Sequence, residues 1–138
     1  MTHLRQLPTL TLAAAKAIAA AAEAFARERG WTVAIAVVDA AGGLILFQIL
    51  DDTQPGSQDV AVHKARTAAR FKRPTKALEE AVVGGRHALL SLPGVTAVEG
   101  GLPIVVASRV VGAVGVSGMQ SSQDSQVAEA GLGAFRPD

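Results

Sequence analysis

The chain contains no cysteine. That removes disulfides, thiolate nucleophiles and zinc knuckles at once, and it fits a reducing compartment. Aromatic residues are also scarce, at 4% of 138. The apolar content, 49%, comes mostly from alanine, valine and leucine, and together with 14 glycines it favours a core of small side chains at close backbone spacing. Neither sign of charge dominates. Thirteen basic residues face twelve acidic ones, a net charge of +1, so nothing marks a nucleic-acid or anionic-membrane surface. With only 18% charged residues, disorder is excluded too. No apolar run approaches the roughly 20 residues of a membrane span.

Familiar catalytic signatures are missing as well. His3, His63 and His87 are scattered, and no pair has helical or hairpin metal spacing. GVSGM at 115–119 lacks the final glycine of a nucleophile elbow. GAVGVSG, with glycines at 112, 115 and 118, is neither a phosphate loop nor a dinucleotide fingerprint. Glycines at strand positions point instead to a bulge or a close backbone approach. Gly118 does lead into a helix start, where free N–H groups beside Ser117, Ser121 and Ser122 form a candidate anion site.

What remains is well patterned. Residues 10–26 offer an apolar run after Arg5, but Lys16, Ala20, Glu23 and Arg27 make a continuous polar helical stripe. A signal-peptide core does not carry such charges. The opposite stripe is Leu10, Ala14, Ile18, Ala21 and Phe25, and the helix is expected to be capped by Thr9 or Thr11 and stopped by Gly30. WTVAIAVVD (31–39) is apolar on both faces and reads as a doubly covered central strand. AAGG (40–43) turns it into LILFQIL (44–50). A helix capped by Ser57 or Asp59 runs to Pro74. Residues 75–92 look helical with a break at Gly84-Gly85, and 93–101 form a loop. LPIVVAS and RVVGAVGVSG make a second hairpin through a turn near Ser108-Arg109. The last helix covers 121–135 with serine or aspartate caps.

This order, helix, hairpin, helices, hairpin, helix, predicts an α+β fold with a mainly antiparallel sheet built from two hairpins and helices packed on it. No linker or repeat interrupts it, so residues 1–138 are expected to form a single domain. If the helices cover one sheet face, a second subunit is the natural cover for the other, which predicts a homo-oligomer.

One residue stands out. On the helix VAVHKARTAARF (60–71), Val60, Lys64, Thr67 and Phe71 share a stripe flanked by Ala61, Ala65 and Ala68. His63, Arg66, Arg70 and Arg73 lie on another, basic side. Lys64 therefore stands among apolar neighbours, where an ammonium must pair, snorkel or lose its proton. Asp39, Asp51, Asp52 and Asp124 are the candidate partners. Two readings follow: a Lys–Asp pair that pins the helix to the sheet, or a lysine in a cleft that binds a ligand's acid group or moves protons. His63 is either a solvated helix residue or a ligand or base.

The VAVVD-type strand followed by AGG (Ala36 to Gly43), KARTAARF (64–71), RPTKALEE (73–80), LPGVTAVEGGLPIV (92–105) and VVGAVGVSG (110–118) together resemble the GlcG/HbpS family, which includes the C-terminal domain of PduO-type proteins. The resemblance covers nearly the whole chain in order. It implies an α+β sandwich assembled as a homo-oligomer that binds heme or a related tetrapyrrole, for sequestration or sensing. It also implies, as an alternative, an enzyme acting on a small carboxylic acid by hydrolysis, isomerisation or proton transfer.

Three departures from the family pattern stand out. Gln48-Ile49-Leu50-Asp51-Asp52 lacks an arginine that members often carry, Asp124-Ser125 replaces an Asp-Glu pair, and Ser108-Arg109 replaces a turn rich in glycine or aspartate. For a tetrapyrrole, the side chains able to ligate iron are His63, His87, His3 and Met119, with His63 or His87 preferred. Lys64, Arg66 and Arg109 are the cations for propionates, and Ser117 and Gly118 complete the ligand-binding set. For the enzyme, Lys64 would approach Asp124 or Asp51 beside the Gly118 loop. A cytoplasmic protein without nucleic-acid or membrane partners is expected.

Overall fold

The computed structural model describes residues 2–138. Helix α1 covers Leu12–Glu28 and is capped by Thr11, whose hydroxyl accepts from the Ala14 amide at 3.1 Å. Such a cap is worth about 1 kcal/mol. Gly30 then takes a left-handed φ of 68° and releases the chain. The buried stripe is Ala15, Ile18, Ala19, Ala22 and Ala26, rotated from the expected one. Alanines let the helix backbone approach closely, which leaves the larger Phe25 at the margin. There it meets Trp31 edge-on at 6.1 Å and lies under the Arg29 guanidinium at 3.5 Å.

The strands are β1 (Ala34–Asp39), β2 (Leu44–Ile49), β3 (Gly101–Val106) and β4 (Arg109–Ser117). They form one antiparallel sheet in the order β2-β1-β4-β3, so each hairpin contributes one central and one edge strand. The hairpins join where Ala34 pairs with Ser117 and Asp39 with Gly112. β1 is the doubly covered strand that its sequence promises, with residues 34–38 fully buried. The second hairpin turns one residue earlier than expected, at Ala107-Ser108. Both residues have left-handed φ, 50° and 65°, which matches the twist of a two-residue turn without any glycine.

Helix α2 (Ser57–Arg70) lies on one face of the sheet, and α1 packs on the other with α4 (Ser121–Leu132). Ile35, Val37, Val114 and Val116 face α1 and α4, while Ala34, Ala36, Val38 and Ala113 face Ala61, Ala65, Ala68 and Ala69 of α2. Both faces of the central strands are thus covered by this chain. The reason given above for a second subunit, an uncovered face, does not hold.

The alanine interface is close enough to dictate a glycine. A side chain at Gly115 would collide with the Ala61 carbonyl and the Ala65 amide.

Four helix ends differ from expectation. α2 starts from Gly56 without a side-chain cap; Ser57 is its first residue, held by Gln54 at 2.9 Å, and Asp59 sits in the first turn, where the dipole favours it. α2 ends at Arg70, and Pro74 instead opens α3 (Thr75–Val83). Gly84-Gly85 breaks the helical stretch as expected, ahead of a short 3-10 turn at His87–Ser91. α4 ends at Leu132 and is opened by a Gln120–Gln123 capping box rather than by serine or aspartate, because the first-turn carboxylate is engaged elsewhere.

Candidate functional site

Lys64 is buried, with a side chain 2% exposed. Its Nζ donates to Asp124 Oδ2 at 3.1 Å and to the Val116 carbonyl at 3.0 Å. Asp124 is equally buried, and its other carboxylate oxygen accepts from the Met119 amide at 3.0 Å. The pair therefore ties helices from opposite faces of the sheet at the end of β4. Burial pushes the Asp124 carboxyl above the usual carboxylate range, opposed by the Lys64 charge and by the Met119 and Gly118 amides.

Room for this arrangement comes from Gly100-Gly101. A Cβ at Gly100 would lie 2.7 Å from Lys64 Nζ, and one at Gly101 would strike the Lys64 carbonyl. The sequence signal for that space was the glycine pair in VEGG, read only as a loop.

Neighbouring groups complete the joint. Thr75 Oγ1 accepts from the Gly101 amide at 2.9 Å. Thr67, the other polar residue of the α2 stripe, accepts from the Thr96 amide at 3.0 Å and fastens the 93–101 loop to α2. Gly118, at φ 146°, passes so close to the β1 entry that a Cβ would lie 2.5 Å from the Thr32 carbonyl. Ser117 is buried on the last rung of β4. The capping box and the Asp124 carboxylate engage N–H groups at the start of α4.

The other nominated residues lie elsewhere. His63 and Arg66 sit on the opposite side of α2 from the ion pair. With Val62, Leu44, Phe47, Gln58 and Asp59 they line a groove of about 220 Å³ between α2 and β2. Arg66 Nε donates to the Gly42 carbonyl at 3.1 Å and Arg70 Nε to the Ala41 carbonyl at 3.0 Å, so this basic face also clasps the first hairpin turn. Asp39 serves the same turn through the Ala41 and Gly43 amides, at 2.9 and 2.8 Å. Asp51 and Asp52 are exposed in the turn after β2, His87 is exposed on the 3-10 turn, and His3 is exposed in the N-terminal strap. Arg109 lines a separate cleft with Arg5 and Lys72. No group of three His, Cys, Asp or Glu side chains able to hold a metal ion occurs among the described residues. No helix among them is long and apolar enough to cross a membrane.

One antiparallel sheet of two joined hairpins, with helices packed on it, is the α+β frame that the family resemblance implies. The family model described as "Haem degrading protein HbpS-like" matches residues 10–133, and the chain belongs to this family. Protein GlcG of Escherichia coli K12 is 45% identical over 103 residues, 75% of this chain and 77% of GlcG. Among solved structures, the Klebsiella pneumoniae protein ORFY superposes with a TM-score of 0.93 at 36% identity, covering 98% of this chain and 96% of that one. A double mutant of Streptomyces reticuli HbpS gives 0.89 at 34% identity, covering 94% and 89%.

Proposed function

We propose that this chain binds heme or a related tetrapyrrole at the groove between α2 and β2, for sequestration or sensing. The observation that carries the reading is the position of His63. His63 is exposed on α2 and lines this groove, where its neighbours include the apolar Leu44, Phe47 and Val62 and the cation Arg66. The description of the family as heme-degrading supports the same ligand class.

The residues fit the group. His63 would offer its imidazole to the iron, Arg66 would offer its guanidinium to a propionate, and Leu44 and Phe47 would give the macrocycle apolar contact. Bound iron would supply the ligand-binding and redox chemistry. At about 220 Å³ the groove is smaller than the roughly 300 Å³ at which small-molecule pockets begin. One chain would therefore cover only part of a tetrapyrrole, and a second copy the remainder. Exposed Leu44 and Ile49 on the open edge of β2 support that homo-oligomer.

The enzyme reading needs Lys64 and Asp124 within reach of a substrate. They do meet beside Gly118, but both side chains are only 2% exposed, and neither lines the α2–β2 groove. We assign the pair to holding the layers together. The absence of cysteine supports a cytoplasmic setting, and the near-neutral charge supports a small-molecule ligand over nucleic acid.

A hemin titration followed at the Soret band tests the proposal, with His63→Ala and His87→Ala in parallel. A sharp saturable band that is lost in His63→Ala alone is the expected result. A weak, unsaturable rise equal in all three proteins would refute it.

A further inference from the structure

A second cleft, of about 380 Å³ and larger than the α2–β2 groove, opens beside the tip of the second hairpin. Three separate segments bring cations to it: Arg5 from the N-terminal strap, Lys72 from the α2–α3 connection, and Arg109 from the start of β4. No carboxylate is among its lining residues. The nearest acid in sequence, Asp39 beside the lining residue Ala40, is committed to the first hairpin turn through the Ala41 and Gly43 amides.

The lack of partners is selective. Arg27, Arg29, Arg66, Arg70, Arg73 and Arg136 each hydrogen-bond to a carboxylate or a carbonyl. Arg5, Arg86 and Arg109 make no such bond among the described residues, and two of these three line this one cleft. In a chain with almost as many acids as bases, three like charges gathered without a counter-charge repel one another unless an anion joins them.

Arg5, Lys72 and Arg109 are all exposed. Lys72 has a left-handed φ of 57° and Ser108, beside Arg109, one of 65°, conformations that persist in non-glycine residues only where the surroundings enforce them. The remaining wall includes Leu7, Pro8, Val105 and Val110. We infer that this cleft is a second ligand site, separate from the α2–β2 groove, for a small organic dianion. Its carboxylate or phosphate oxygens would be held by the Arg5 and Arg109 forks and the Lys72 ammonium, with a short carbon skeleton against the apolar wall. It shares no lining residue with the groove of His63, so its occupancy does not depend on heme.

Isothermal titration of the full chain with succinate and with inorganic phosphate tests this, with acetate as the monoanion control. Saturable binding of at least one dianion, weakened about tenfold in Arg109→Gln or Arg5→Gln and lost in the Arg5→Gln, Lys72→Gln, Arg109→Gln triple variant, is the expected result. The arm that saturates identifies the head group as carboxylate or phosphate. The Lys16→Gln protein should bind like the parent, because Lys16 is exposed on α1 and does not line the cleft. Failure of both dianions to saturate, or equal affinity in the triple variant, would overturn the proposal and leave only diffuse screening by surface charge.

Discussion

Lys64 Nζ lies 3.1 Å from Asp124 Oδ2, and the two residues come from helices on opposite faces of the sheet. A buried pair of this kind offsets a large desolvation cost only while both partners are present. Lys64→Met should therefore lower unfolding free energy by about 3–5 kcal/mol, because it strands a buried carboxyl among apolar groups. Lys64→Met with Asp124→Leu should recover most of that loss, since apolar replacements of similar volume are often neutral. Urea unfolding of the two single variants and the double variant measures the coupling.

The Gly115 position makes a sharper packing prediction. Gly115→Ala places a methyl group against the α2 backbone, which cannot turn aside as a side chain can. It should destabilise by about 3 kcal/mol or more, at the upper end of overpacking costs. Gly56→Ala, at φ −61° with open space around it, should be neutral or stabilise by up to about 1 kcal/mol. Thermal or urea midpoints of both variants decide the matter.

Two carboxyls should give opposite pH signatures. Glu23 donates nothing but accepts from Arg27 and Gln48 at 2.8 and 2.7 Å, and these bonds hold its carboxyl below the usual range. Its contribution is present above the ordinary carboxylate value and is lost as pH falls through the lowered native value. Asp124 is raised, so the native state keeps its proton more tightly than the unfolded chain does. Stability through Asp124 therefore falls as pH rises from the ordinary value to the raised one. Unfolding midpoints measured across the acid range should show a shallower acid-side loss in Glu23→Gln than in the parent. In Asp124→Asn the decline attributable to rising pH should be gone.

Much of this architecture was legible because period and punctuation agreed. WTVAIAVVD is apolar from Val33 to Val38 and became the buried centre, and Gly84-Gly85 broke a helix where two flexible residues remove helical propensity. Lys64 was conspicuous for a physical reason, an ammonium on an alanine stripe, and burial bears out the oddity. The choice of Asp124 over three other aspartates was not legible, since 60 residues and the end of β4 separate it from Lys64. The cover of both sheet faces by one chain was missed because alternation within a strand shows that a face is buried but not which helix buries it. The cation cleft left no local pattern, as Arg5, Lys72 and Arg109 are contributed by three distant segments.

The central claim is that function sits at the His63 groove while the Lys64–Asp124 pair only holds the fold. The most direct measurement is the hemin affinity, by Soret titration, of the Lys64→Met, Asp124→Leu double variant beside His63→Ala. Parent-like affinity in the double variant, with a loss of about tenfold or more in His63→Ala, is the predicted result. A folded double variant that no longer binds hemin, beside a His63→Ala protein that binds it normally, would contradict the account.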